Sequence, residues 1–201
     1  GNFAPYSGHN ISVIDLKSNT IAYSIETRGY PQASSLLTTA YEKDDQSVYV
    51  YFFENLTPGK MRVIKDKPGQ TAPSEVQIET DNRQNQYTVA PTLFTPSGAH
   101  AQYVICSPIA DEYGNIYFKN DSSHMFMIGP TIKELRITQK PKKTEYTVGE
   151  TFDPTGLKVE AVYSTGKTRD ITKYIGYNTN PLSLDDEDFE IRLQTGSRMY
   201  Q

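Results

Sequence analysis

Tryptophan is absent from this 201-residue chain, cysteine occurs once and histidine three times. No stretch approaches the ~18 consecutive apolar residues of a membrane-spanning helix, and each shortage removes a class of explanation. A single cysteine, Cys106, forbids an intrachain disulfide and a cysteine-rich zinc centre. It lies in the apolar run Tyr103-Val104-Ile105-Cys106, which predicts a buried structural thiol rather than a nucleophile. Lack of disulfides does not argue against export. No charged-then-apolar leader is visible, and the first residue is Gly1 rather than Met, so we expect a processed or truncated chain. His9, His100 and His124 stand far apart, and none has a second histidine, a cysteine or paired carboxylates at ligand spacing. No metal site is expected from them, although folded strands could bring two together.

Positive charge is also in short supply. The formal charge is −4; residues 1 to 130 hold 9 Lys and Arg against 13 Asp and Glu, and the remainder holds 11 against 11. The cluster Lys140, Lys142 and Lys143 is interrupted by Pro141 and answered by Glu145. The long-range field that draws in a polyanion is missing, so no nucleic-acid partner is expected.

Motifs that carry chemistry fail on their physical requirements. Gly166-Lys167-Thr168 would need a first glycine at position 161, which is Ala161 inside a strand pattern, so a hairpin turn is expected there instead of a phosphate loop. Asp185-Asp186-Glu187-Asp188 offers carboxylates but neither alternating ligand positions nor a glycine bend, and reads as a solvated acidic turn rather than a calcium loop. No Gly-x-Ser-x-Gly elbow occurs, and Ser97-Gly98 lacks the strand-to-helix setting that exposes a nucleophile. No carboxylate pair stands out for glycosidic chemistry. The sequence therefore predicts a non-enzyme with no catalytic residue, cofactor or metal, and leaves the binding residues unassigned.

What is present is β-forming. There are 15 tyrosines, only 36% of residues are hydrophobic, and short alternating runs recur between Gly, Pro, Asn and Asp turns, the pattern of half-buried strands. Strands are expected at 11–16, 21–27, 36–42, 48–54, 60–65, 76–80, 86–90, 99–106, 116–118 and 125–128. Residues 34–40 are the one place where a helical turn fits. Val48-Tyr49-Val50-Tyr51-Phe52-Phe53 is the most β-prone run and predicts one apolar face and one face of rings. Tyr49, Tyr51, Tyr113 and Tyr117 suit either a docking or sugar-stacking face or cross-strand pairs, and the latter reading is favoured. Asn10, Asn55 and Asn120 each begin a glycosylation sequon, as chance allows in a turn-rich chain.

Gly129-Pro130 is the expected domain boundary, since proline ends strand pairing and a fresh strand, 132–138, follows. Two closely joined sandwiches, 1–129 and 130–201, would form a semi-rigid rod. In the second half, Lys142-Lys143-Thr144-Glu145-Tyr146-Thr147-Val148-Gly149-Glu150-Thr151-Phe152-Asp153-Pro154-Thr155-Gly156-Leu157 reads as a short strand, a Gly-Glu turn and a Pro/Gly corner. Leu157, Val159 and Ala161 then alternate with Lys158, Glu160 and Val162. Strands are expected to follow at 167–171, 174–177 and 189–193.

This stretch, with "GLKVEAVYSTGKTRDITKY" and "NTNPLSLDDEDFEI", resembles the bacterial immunoglobulin-like domain of the group 3 kind over residues 132–195. One departure is Thr165 before Gly166, where the family's hairpin usually has Asp. The close of the first half, "GAHAQYVICSPIADEYGNIYFKNDSSHMFMI", resembles the end of the N-terminal immunoglobulin-like domain of phage baseplate upper proteins: a long strand, an Asp/Gly turn and a final hairpin. Together these resemblances imply an all-β chain of two tandem immunoglobulin-like β-sandwich domains. They imply a structural, adhesive or spacer module at a bacterial surface or secreted, with a virion or prophage tail component as the alternative and a carbohydrate-binding accessory module as the third reading. The expected partner is a protein or glycan at a surface, with no membrane insertion.

Overall fold

In Val48-Tyr49-Val50-Tyr51-Phe52-Phe53-Glu54 every residue but the last is β-branched or aromatic, so the segment can be buried on both sides of an extended chain. The computed structural model, which describes residues 9–42, 45–79, 84–185 and 191–193, places it at the centre of the first of two compact units, Gly1–Gly129 and Pro130–Gln201. The described strands of the first unit are β1 (Asn10–Asp15), β2 (Thr20–Glu26), β3 (Leu36–Thr38), β4 (Val48–Glu54), β5 (Lys60–Asp66), β6 (Glu75–Glu79), β7 (Asn85–Val89), β8 (Thr92–Phe94), β9 (Ile109–Ala110), β10 (Ile116–Lys119) and β11 (Met125–Ile128). All described pairings are antiparallel. The central sheet runs β3-β4-β5-β8, and β1-β2, β6-β7 and β11-β10-β9 form separate sheets.

Both faces of β4 and β5 are buried, and that dictates the layering. Tyr51, Phe53, Met61 and Val63 pack with Val76, Val104, Ile116 and Phe118 on one side. There the Phe53 and Phe118 rings lie 4.8 Å apart, and Phe118 stacks on Phe126 at 5.1 Å. On the other side Phe52 and Ile64 pack with Tyr23 and Ala90 beneath Ile11, Val13 and Ile25 of the β1-β2 hairpin. The rings of β4 thus form a core face: Tyr51 is 4% exposed, and Tyr49 is half-buried with its ring 5.7 Å from that of Tyr41.

Residues 99–106 depart from the expected strand. Gly98–His100 form a 3-10 turn, and residues 101–106 run on without a sheet partner. The reason lies in where their polar groups go. The carbonyl of Gln102 accepts from Gly59 N–H at 3.1 Å, that of Tyr103 accepts from Asp121 N–H at 3.0 Å, and Val104 N–H donates to the side chain of Asn55 at 2.9 Å. Val104 is buried, whereas Tyr103, Ile105 and Cys106 face solvent. The cysteine expected to be buried is therefore exposed, since the segment turns Val104 inward and leaves Cys106 at the surface. β3 stops at Thr38, where a turn from Thr39 to Glu42 bends the chain away, and no helical turn forms at 34–40. The short strands β8 and β9 were not anticipated; two or three residues are too few to show a period.

In the second unit the described strands are β12 (Ile132–Gln139), β13 (Lys158–Tyr163), β14 (Thr168–Asp170), β15 (Ile175–Tyr177) and β16 (Ile191–Leu193), paired as β12-β13-β14 and β15-β16. Leu157, Val159, Ala161 and Tyr163 point inward with Ile171 and Ile175, as the alternation requires. Residues 142–148 are not a paired strand. They are tied by Lys142 N–H to Thr155 O (2.8 Å), by the Lys143–Glu150 ion pair (2.7 Å) and by Tyr146 Oη donating to Lys143 O (3.0 Å). Gly149 and Glu150 exchange backbone bonds with Leu182. Gly156 has φ +88°, and a Cβ there would sit 3.0 Å from Lys142 Cγ, so the corner requires glycine. Gly166 closes the β13-β14 hairpin through its N–H to Tyr163 O (2.9 Å), with no phosphate-binding loop.

Burial pushes the phenols of Tyr23, Tyr41 and Tyr51 above the ordinary tyrosine value of about 10, Tyr41 to about 12. A raised folded-state pKa means that the stabilisation is complete below about 10 and is lost as pH rises through the raised values. In an alkaline titration followed by tyrosinate absorbance and circular dichroism, exposed tyrosines should ionise first with the fold intact. The buried ones should ionise only with loss of β signal above about pH 12. Ionisation of every tyrosine in one step near pH 10, fold unchanged, would contradict this assignment.

Candidate binding groove on the first unit

β4 ends in Glu54, a buried carboxylate that must be paired to be tolerated away from water. Its partner is Arg62 of β5, with Nη1 2.6 Å from Glu54 Oε1. The same guanidinium donates to Glu26 O at 2.8 Å and to Ala90 O at 2.9 Å, and lies 5.5 Å from the Phe52 ring centroid. Glu54 also accepts the backbone N–H of Arg28 at 3.3 Å, which fixes the chain as it leaves β2. Gly29 follows with φ +80°, and a Cβ there would come within 2.9 Å of the Asn55 carbonyl and Leu56 nitrogen. Only glycine lets the two segments lie this close.

Asn55 is the second anchor. Buried, it accepts Val104 N–H through Oδ1 and donates through Nδ2 to Gln32 Oε1 at 2.7 Å. One amide thereby positions both the segment after β2 and the segment 101–106. Together they enclose a groove of about 710 Å³, lined on one part by Glu26, Arg28, Tyr30 and Gln32 and on another by Tyr103, Ile105 and Asp121, with Leu56 and His9 beside them. Tyr30 and Tyr103 are 45% and 42% exposed, Leu56 50% and Ile105 54%. His9 meets the Tyr30 ring edge-on at 4.6 Å.

The residues singled out by sequence fall elsewhere. Tyr117 Oη donates to Asp111 Oδ2 at 3.0 Å, and the other Asp111 oxygen accepts the N–H groups of Tyr113 and Asn115, each at 3.0 Å. Burial pushes the Asp111 carboxyl up, but these bonds and the Asn115 side-chain amide outweigh it and hold it below the usual carboxylate range. Tyr113 and Tyr117 thus brace a turn. Asn55 and Asn120 are buried and hydrogen-bonded, which removes them as glycosylation acceptors, while Asn10 is exposed. His100 and His124 do meet, ring centroids 4.0 Å apart, although they are distant in sequence. His124 Nδ1 lies 2.9 Å from Ser122 O, and His100 Nδ1 is buried with no hydrogen-bond partner among the described residues. No group of three or more His, Cys, Asp or Glu suited to a metal ion occurs among the described residues. Of the acidic run, only Asp185 is described; Asp186, Glu187 and Asp188 lie outside the described residues.

Sequence reasoning missed the groove. A signal existed in Asn55, read as a turn and sequon residue, but its role becomes visible only once 27–32 and 101–106 are seen on either side of it.

The Pro/Gly corner, β13, the Gly166 hairpin and the inward row Leu157, Val159 and Ala161 all lie in one stretch that a family model matches. Residues 139–188 match the family model of the bacterial Ig-like domain (group 3). No curated protein and no solved structure matches the chain. Within this stretch two carboxylates serve turns: Asp153 accepts Thr155 N–H and Asp170 accepts Thr172 N–H, each at 2.9 Å.

Two substitutions test the framework of the groove. Arg62→Leu strands a buried carboxylate and should lower unfolding free energy by about 3–5 kcal/mol in urea titrations. Asn55→Ala leaves the buried Val104 N–H unpaired, for a cost of about 1–3 kcal/mol, and should selectively speed hydrogen exchange at Val104. A neutral result for either would mean that the interaction does not hold the groove.

Proposed function

We propose that the chain is a non-enzymatic structural and adhesive module of a bacterial cell-surface or secreted protein. In this reading the bacterial Ig-like domain acts as a spacer and the first unit carries the contact surface. The observation that supports it is the joining of the two: residues 139–188 match a bacterial Ig-like domain, in which Asp153 and Asp170 brace turns, while the first unit holds exposed aromatic and polar side chains in a groove on a rigid frame. Among the described residues no helix is long and apolar enough to cross a membrane. The groove's lining holds two carboxylates, Glu26 and Asp121, and one histidine, His9, whose ring packs edge-on against Tyr30.

The virion alternative draws on residues 98–128. There an Asp/Gly turn at 111–114 and the β10-β11 hairpin form, while residues 101–106 do not make the long strand that this reading expects. Tail genes beside the coding gene would favour that alternative.

The adhesive reading predicts that fluorescently labelled protein binds intact bacterial or host cells saturably and is displaced by excess unlabelled protein. The same preparation should show no turnover in hydrolase screens. Absence of saturable binding across a broad cell panel would defeat the adhesive reading, and turnover abolished by a single carboxylate substitution would defeat the non-enzyme reading.

A further inference from the structure

We infer that the groove bordered by residues 26–32 and 101–106 binds a short, uncharged oligosaccharide that stacks on Tyr30 and Tyr103. This rests on reading the first unit as the contact-bearing part of an adhesive module. Three properties select the ligand class.

The first is size. A groove of about 710 Å³ falls in the range of small-ligand sites, ~300–1,000 Å³, and offers far less area than a folded partner requires.

The second is the state of the backbone. A peptide bound along an open edge needs unpaired N–H and C=O groups in strand order. Along 102–104 the carbonyls of Gln102 and Tyr103 and the N–H of Val104 are already taken by Gly59, Asp121 and Asn55, which breaks the run of strand-order groups. Recognition then falls mainly to side chains.

The third is what those side chains offer. A pyranose presents an apolar C–H face rimmed by hydroxyls that both donate and accept. Two rigid tyrosine rings supply amphipathic area, Glu26 and Asp121 supply acceptors, and Arg28 supplies donors. Gln32 spends its carbonyl on Asn55, which turns its NH₂ to use as a donor. Two carboxylates against one guanidinium repel phosphate, sulfate and uronate groups, so anionic glycans and nucleic acids fit poorly. None of these residues was among the tyrosines that the sequence pattern favoured.

The test is an array of neutral, N-acetylated and acidic oligosaccharides probed with the full chain. Variants Tyr30→Ala, Tyr103→Ala and Tyr103→Phe are compared, with Tyr87→Ala as an exposed control outside the groove, and the thermal melt of each is checked. Neutral or N-acetylated glycans should be retained. Each alanine variant should weaken binding about tenfold, as loss of an aromatic contact implies, while Tyr103→Phe, which keeps the ring, and Tyr87→Ala should bind nearly as the parent does. Retention of acidic glycans alone, of no glycan, or of glycans equally by parent and both alanine variants would overturn the inference. If an alanine variant melts early, backbone amide shifts of the parent on addition of a retained neutral glycan decide: shifts at residues 26–32 and 101–106 support the site, and shifts elsewhere overturn it. Failure of the broader reading looks different, because the parent would then bind no cell at all. Saturable cell binding that survives periodate and disappears with protease would leave the adhesive role standing and the glycan refuted.

Discussion

One guanidinium ties the first unit together. Arg62 meets the carboxylate that ends β4, the carbonyl that ends β2 and the carbonyl of Ala90 between β7 and β8, and does so beside the Phe52 ring. Glu54 and Ala90 are withdrawn from water, while the Glu26 carbonyl lies at the exposed edge, so removing the arginine would strand a buried carboxylate beside the apolar layers. The arrangement explains why the sheet tolerates a charge in its midst. It also sets the departure of the chain from β2, because Glu54 holds the Arg28 amide, and that departure forms one side of the groove. Stability and surface shape here share a cause.

The second unit is organised by different means. Its sheet is apolar on one row, Leu157, Val159, Ala161 and Tyr163, and its leading segment is tied by turn bonds, an ion pair and the Tyr146 hydroxyl. The exposed Lys143–Glu150 pair adds little on its own. Its use is in placing the 147–150 turn, together with the backbone bonds to Leu182.

Much of the fold was legible where a residue's environment is set by its neighbours in sequence. β4 and β11 have the limits that the alternation indicates, the Gly166 hairpin forms, and the 157–163 row faces inward. The all-β class follows from the same patterns. Failures share a cause in contacts between distant residues. Residues 99–106 have a strand-like composition, but their hydrogen bonds run to Gly59, Asn55 and Asp121, so no ladder forms and Cys106 is left exposed. The tyrosines of β4 sit on an alternating strand whose two faces are both covered, which no period of two can reveal. His100 and His124 meet only through the turn between β10 and β11 and the 3-10 turn before residue 101. The groove, assembled from four separate segments around Asn55, was the least legible part.

Segment 101–106 has its backbone fixed by partners that lie elsewhere in the chain, while the side chains of Tyr103 and Ile105 face solvent and take no part in those bonds. Main chain and outward side chains are thus uncoupled. Substitution at these two positions can reshape the surface without disturbing a single one of the bonds at 102–104, so related chains sharing Gly59, Asn55 and Asp121 can diverge in what they contact while keeping one scaffold.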